Sequence, residues 1–280
     1  MNIDRATLFQ FFKYAVYALL ALDTYLFFAI EYPAAQVQFP GGVAAADLIE
    51  AFAATVDMVA WVVLLLMFEL ETYVLEDRHF TPRVTWALHG VRVICYSFIV
   101  YAFYGYIANL TTAYIVSPLL GVTDICSLAV DQWTYAVGMD EYVEITAANC
   151  ASFSHSASFL QLEGMQTIVD GDGLRDIQYL AWVDVINAAV WLVIVLVLEI
   201  DVWLQEHDKY EGLALTISTI IKFASYSILF IAAIYWGFEG DFVDFWDAFL
   251  WLVAFFFIEM NVVEWRHEVA EERENLPQTQ

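Results

Sequence analysis

Six apolar stretches, each long enough to cross the hydrocarbon core of a bilayer, constrain this chain more than any other feature. They lie near residues 8–30, 48–74, 84–108, 180–204, 213–237 and 242–265. A membrane-spanning helix needs about 20 apolar residues, and each stretch must be helical because lipid offers the backbone no hydrogen-bond partner. With 61% of its residues hydrophobic, the chain is too apolar for a water-soluble domain. The sequence therefore predicts an all-α polytopic membrane protein with six transmembrane helices in contact with lipid.

The basic residues predict the orientation of these helices. Of the 10 Lys and Arg residues, all except Arg175 fall on the side of the predicted membrane that holds both termini. Because Lys and Arg are retained in cytoplasmic loops, both termini are predicted to be cytoplasmic, in a plasma membrane or a bacterial inner membrane. A formal net charge of −25 argues against nucleic acid as a partner.

The even-numbered predicted helices share one sequence pattern, Asp or Asn, then Trp four residues later, then Glu eight residues after the Trp, then Glu, Asp or Asn two residues further on. Three matches without gaps in one chain indicate an internal repeat. The matching residues are Asp57, Trp61, Glu69 and Glu71; Asn187, Trp191, Glu199 and Asp201; and Asp247, Trp251, Glu259 and Asn261.

The odd-numbered predicted helices carry a weaker repeat, in which a base is followed four residues later by tyrosine. These pairs are Lys13 with Tyr17, Arg92 with Tyr96, and Lys222 with Tyr226. The repeating unit is therefore two helices, and three copies in the same orientation predict a pseudo-threefold axis along the membrane normal. The predicted segments are 1–75 for repeat 1, 76–108 and 179–208 for the helices of repeat 2, 109–178 for an insertion between them, 209–266 for repeat 3, and 267–280 for a cytoplasmic tail.

Helix geometry separates the repeated acids into two faces. At about 100° per residue, the three repeat glutamates lie on one face, and the Asp or Asn before each Trp lies with the residue two after the glutamate on another. An ion inside a bilayer is costly unless it is paired or hydrated. Three base–glutamate ion pairs that hold helix register are therefore predicted between Lys13, Arg92 and Lys222 and the glutamates Glu69, Glu199 and Glu259.

The second face has more acids than the remaining bases can neutralise. Carboxylates in layers across a membrane, joined by amides, suit the passage of protons, sodium or a divalent cation. The alternative is that these side chains sit at the interfaces, in contact with headgroups and water. The predicted ion-pathway residues are Asp23, Asp57, Glu71, Asp201, Asp247, Asn187 and Asn261.

The repeat tryptophans Trp61, Trp191 and Trp251 are predicted to lie well inside the membrane rather than in the interfacial aromatic belt. Core packing around the threefold axis explains them, and contact with a quinone or pigment is the alternative. No cofactor is implied strongly by any motif, and the lack of a nucleophile–base pattern disfavours an enzyme.

The insertion at residues 109–178 carries nine acids and one base and is predicted to be a small extracytoplasmic cap. Cys126 and Cys150 lie within it, and an oxidising compartment permits a disulfide between them, whereas Cys95 is predicted to be buried inside the third helix. Asp170, Asp172 and Asp176 are weak candidates for a metal site, because a calcium loop needs an acid where the chain has Ala181.

These features predict a channel or transporter subunit for a small cation. The alternative is a membrane subunit that transports nothing and binds a membrane or extracytoplasmic protein through residues 109–178 in a larger assembly. Either function favours an oligomer or a complex. A redox or lipid-modifying enzyme is a third reading, and it requires a bound cofactor visible in an absorption spectrum.

Overall fold

A computed structural model of the chain describes residues 5–71, 81–122, 124–153, 158–207 and 212–257. The structure is mostly helical. Four of the described helices are long and apolar enough to cross a membrane: α1 (Arg5–Gln38), α4 (Pro82–Thr112), α5 (Gly171–Glu206) and α6 (Leu213–Glu239). Many large apolar side chains on these helices are exposed, as lipid contact requires. The four helices fit an integral membrane protein.

The two remaining apolar stretches are helical as far as the structure describes them. The second contains a short helix α2 (Leu48–Ala51) and helix α3 (Ala53–Glu69), and the sixth begins a helix α7 that covers residues 242–257. The described part of each is shorter than the predicted span. Six transmembrane helices in three repeats therefore stay a prediction.

The chain divides into two compact units, one of Met1–Asp23 with Tyr226–Gln280 and one of Thr24–Ser225. In the larger unit α4 packs against α2, α3 and α5. In the smaller unit a tight turn at Gly240, which has φ +89°, joins α6 to α7, and the backbone N–H of Asp241 donates to the carbonyl of Trp236 over 3.0 Å. Glycine adopts this left-handed conformation without steric cost.

Gly105 allows α4 to approach α2 and the start of α3 closely. A Cβ atom at this position would lie 2.6 Å from the carbonyl oxygen of Ile49 and 3.0 Å from the Cβ of Ala53. The nearest of these atoms belongs to the backbone, so the contact cannot be relieved by a side-chain rotation.

Replacing Gly105 with alanine is expected to lower the free energy of unfolding by about 1 to 3 kcal/mol, the usual cost of overpacking a close contact. The matched control is Gly90→Ala in the same helix, where a Cβ would meet no atom within 4 Å. Unfolding of the purified protein in mixed micelles, followed by tryptophan fluorescence, measures both. Equal stability of the two variants would contradict the close approach.

Between α4 and α5 the chain forms a small β-sheet, which corrects the expectation of an all-α fold. Its five strands have the order β1-β4-β5-β2-β3. They are β1 (Val116–Leu119), β2 (Thr134–Ala136), β3 (Tyr142–Glu144), β4 (Phe159–Leu162) and β5 (Thr167–Val169). All pairs are antiparallel except β2 with β5. The strands have three or four residues each, too few for an alternating pattern to stand out in the sequence.

The two faces of the sheet bury separate apolar clusters. One face packs Val169 and Leu162 against Leu174 and Ile177 at the start of α5. The other face buries Ile168 and Phe159 with Cys150. The sheet and its loops form the central part of the predicted insertion. From here on we call this part, residues 113–170, the cap.

The predicted disulfide is confirmed, since Cys126 and Cys150 are bonded with their Cα atoms 5.1 Å apart. Cys95 is free and buried in α4, as predicted.

Candidate functional site

Arg92 on α4 forms an ion pair with the last described residue after α3. Its Nη2 atom lies 2.7 Å from Oε2 of Glu71, and the two side chains are 33% and 24% exposed. A guanidinium at this distance donates a charge-assisted hydrogen bond. The contact joins α4 to the segment that directly follows α3.

Lys222 on α6 makes the equivalent contact with α5. Its Nζ atom lies 3.2 Å from Oδ2 of Asp201, and the side chains are 12% and 4% exposed. The hydroxyl of Ser218, one turn earlier on α6, donates to the same carboxylate oxygen over 2.6 Å. This ion pair is more deeply buried than that of Arg92.

The two contacts follow one rule and differ from the predicted base–glutamate pairing. Arg92 on α4 contacts Glu71 after α3, and Lys222 on α6 contacts Asp201 on α5. Each base thus contacts the acid two residues after a predicted repeat glutamate, on the preceding apolar stretch. On α5 the glutamate itself, Glu199, accepts a 2.5 Å hydrogen bond from Tyr96 on α4. Glu199 and Asp201 differ by two positions and lie about 200° apart around α5. They therefore face different neighbours, Tyr96 on α4 and Lys222 on α6.

Two of the predicted ion-pathway acids, Glu71 and Asp201, each form an ion pair with a base. Lys13 and Glu69 are both buried, at 2% and 6% exposed, and the Lys13 ammonium lies 5.0 Å from the centre of the Tyr14 ring. Glu259, the third predicted ion-pair glutamate, and Asn261, a predicted ion-pathway residue, lie outside the described residues.

Two of the repeat tryptophans meet inside the larger unit. The rings of Trp61 and Trp191 are 5.9 Å apart between centroids, and both side chains are buried. Trp251 is buried as well and contacts Phe255 one turn along α7. Contacts at this distance are typical of packed aromatic pairs, which agrees with a packing role for the first two.

Asp23 is the most isolated of the predicted pathway acids. Its side chain is fully buried in α1, at 0% exposed. Neither carboxylate oxygen accepts a hydrogen bond from any residue that the structure describes. A buried carboxylate without a donor is costly in its charged form, so this position favours a bound proton or a bound cation.

The other predicted pathway residues have partly polar surroundings. Asp57 on α3 accepts a long 3.5 Å hydrogen bond from the Tyr106 hydroxyl of α4, and a second one from Trp61. Asn187 on α5 and Asp247 on α7 are half-buried. One carboxylate or amide oxygen of each of these three side chains is buried without a hydrogen bond to described residues.

Glu31 is a buried acid that the sequence analysis did not single out. Its carboxylate oxygens accept hydrogen bonds from the backbone N–H groups of Ala54 and Thr55, over 2.8 and 3.0 Å. These donors lie at the start of α3, whose N-cap residue Phe52 offers no side-chain acceptor. Phe52, with no side-chain acceptor before α3, was a signal in the sequence, because the first N–H groups of a helix need an acceptor from elsewhere.

Two of the three weak metal candidates in the insertion, Asp170 and Asp172, make contacts within the protein. Asp170 caps the start of α5 by accepting a 2.8 Å hydrogen bond from the backbone N–H of Gly173, as N-cap aspartates do. Asp172 forms an exposed ion pair with Arg175. Among the described residues, no group of three His, Cys, Asp or Glu side chains could hold a metal ion.

No protein family, characterised protein or solved structure matches this chain. The assignment of function therefore depends on the residues and their geometry.

Proposed function

We propose that this protein moves a small cation, most simply the proton, across the membrane, with Asp23 as the central intramembrane carboxylate. The observation that carries the proposal is the complete burial of Asp23, whose two oxygens accept no hydrogen bond from the described residues. Asp57 and Asp247 are the other acids on the proposed path, with Asn187 as a neutral polar residue.

The physical argument starts from the cost of burial. An ionised side chain near the bilayer centre costs about 2.5 to 3.5 kcal/mol on insertion scales, and a buried oxygen without a donor adds to that cost. An acid in such a place is stable when it is protonated or when a cation sits beside it. Exchange of that proton or cation is what transport requires.

The ion pairs divide the repeated acids by role. Glu71 and Asp201 are neutralised by Arg92 and Lys222, so we assign them to the scaffold that holds helix register. Among the described residues, no basic side chain contacts Asp23 or Asp57, and the hydrogen bonds of Asp57 come from neutral donors. Asp23 and Asp57 are therefore the acids whose charge can change when a proton binds or leaves.

The proposal is tested by ion flux into proteoliposomes that contain the purified full-length protein. Protons, sodium, potassium and calcium are compared, with Asp23→Asn as the test variant and Asp172→Asn as the control. Asparagine keeps the size of the side chain but has no proton to exchange, so flux is expected to fall about tenfold or more. Asp172 is exposed at the start of α5, and its variant is expected to keep the flux of the original protein.

Two results would overturn the proposal. One is a folded Asp23→Asn variant that conducts as well as the original protein. The other is the absence of flux for all four ions from the original protein. Near-ultraviolet circular dichroism of each variant separates a loss of flux from a loss of fold.

The proposed topology has six transmembrane helices in three two-helix repeats around a pseudo-threefold axis. Both termini are proposed to be cytoplasmic. The shared contact rule of Arg92 and Lys222 supports equivalent repeats. The disulfide in the cap supports an extracytoplasmic position, because disulfides persist in oxidising compartments. Cysteine accessibility to impermeant reagents at each loop tests the orientation.

A subunit that binds other proteins is the second candidate function. Two large apolar side chains in the cap support it, since Leu120 and Val130 are 88% and 85% exposed. A contiguous apolar patch outside a membrane marks a contact surface, and this function requires Leu120 and Val130 to belong to one. A stoichiometric partner that dissociates from a Leu120→Ser, Val130→Ser variant, while the original protein shows no flux, would favour this function.

A further inference from the structure

A cavity of about 390 Å³ lies between the cap and the ends of α1, α4 and α5. Its size falls within the usual range of small-molecule sites. All of its lining residues belong to the larger unit. The cavity is separate from the buried acids of the proposed ion path, since neither Asp23 nor Asp57 lines it.

All the charged side chains that line the cavity are acidic. Glu50 from α2, Asp140 from the loop before β3, and Glu163 from the β4–β5 turn line it, and the lining contains no Lys, Arg or His. Three carboxylates around one concave surface give it a negative potential that concentrates cations.

Neutral donors position two of these carboxylates. The Thr112 hydroxyl donates to Oε1 of Glu50 over 2.9 Å, and the Gln38 amide donates to Oδ1 of Asp140 over 3.2 Å. A carboxylate has about four lone-pair sites on its two oxygens. Both acids can therefore accept further hydrogen bonds from a bound cation while they keep these contacts.

Tyr142 adds a polar but neutral group to the wall. Its hydroxyl donates to the carbonyl of Met139 over 3.1 Å and accepts a 3.0 Å hydrogen bond from the Gln38 amide. Burial, together with the nearby charge of Asp140, raises the pKa of Tyr142 above its usual value. The phenol therefore stays protonated at neutral pH.

The rest of the wall is apolar. Met139, Leu162, Met165 and Ile177 face the cavity together with Phe39. Methionine side chains adapt to apolar ligands of different shape. A fully hydrated metal ion would gain nothing from such a wall, whereas a cation with a hydrocarbon part would bury it there.

We propose that this cavity binds an organic ammonium ion, with the charged nitrogen held by Glu50 and Asp140 and the apolar part packed against Met139 and Met165. Glu163 lies on the exposed edge of the cavity and attracts the cation without a buried contact. This binding site goes beyond the proposed cation transport and does not depend on it.

Isothermal titration of the full-length protein in lipid nanodiscs tests the proposal, with 2-phenylethylammonium as the probe. Uncharged 2-phenylethanol has a similar shape and is expected to bind at least about tenfold more weakly, because it has no positive charge to pair with the two carboxylates. The Glu50→Gln variant is expected to weaken binding of the ammonium ion by about tenfold, because it removes the charge of one of these carboxylates.

Two further variants separate binding from folding. Glu163→Gln alters an exposed side chain and is expected to weaken binding by about threefold, since an exposed charge is screened by solvent. Glu144→Gln removes an exposed acid of β3 that does not line the cavity, and its affinity is expected to equal that of the original protein. Equal affinity for the ammonium ion and the alcohol, or unchanged affinity in Glu50→Gln, would overturn the proposal. Because titration needs no ion gradient, its failure is distinguishable from an absence of flux.

Discussion

Replacing Lys222 with methionine is expected to lower the free energy of unfolding by about 3 to 5 kcal/mol, the usual cost of removing one partner from a buried ion pair. Asp201, at 4% side-chain exposure, would keep its hydrogen bond from Ser218 but lose the contact with this base. Unfolding of the purified protein by SDS in mixed micelles, followed by tryptophan fluorescence, measures the change.

Two controls identify the cause of that loss. Adding Asp201→Asn to the Lys222→Met variant removes the buried charge and keeps an acceptor for Ser218, so most of the stability is expected to return. Arg175→Met breaks an exposed pair whose side chains are 62% and 91% exposed, and it is expected to cost less than about 1 kcal/mol. A double variant as unstable as Lys222→Met alone would contradict the role of the ion pair.

Replacing both Cys126 and Cys150 with serine is expected to destabilise the cap by about 3 to 4 kcal/mol. The disulfide closes a loop with a sequence separation of 24, and the loss of loop-closure entropy in the unfolded cap accounts for this value in the chain-entropy model. Cys150 is also buried among the apolar side chains of the sheet, so a serine hydroxyl there adds a desolvation cost.

Limited proteolysis of the cap in lipid nanodiscs measures this change. A loss of this size raises the open fraction a few hundredfold, and cleavage within residues 113–170 is expected to accelerate accordingly. Reduction of the original protein is expected to have a similar effect, while Cys95→Ala, which alters a buried thiol in α4, leaves the cap protected. Unchanged cleavage in the double serine variant would show that the sheet is stable without the bond.

The repeat pattern predicted which side chains matter but not which of them meet. Glu69 and Glu71 differ by two positions, and nothing in the spacing says which one lies beside Arg92. That choice depends on how α3 and α4 are rotated about their axes when they pack. The same holds for Glu199 and Asp201. Glu199 accepts a hydrogen bond from Tyr96, whereas Asp201 forms an ion pair with Lys222.

The sequence by itself determined the features that depend on local composition. Long apolar runs require helices in lipid, and four of these helices are present and long enough to cross a membrane. The pairing of Cys126 with Cys150 followed from the two cysteines of one segment, and the burial of Cys95 from its place within an apolar run.

Only the tertiary structure decided the features that depend on distant contacts. The cap strands are too short to be recognised alone and exist because each pairs with a neighbour. The backbone N–H groups at the start of α3 are satisfied by Glu31, 23 residues before Ala54. The acidic cavity joins residues from four helices and from the cap that lie far apart in the chain. Such contacts depend on helix rotation and strand register, which composition and periodicity do not specify.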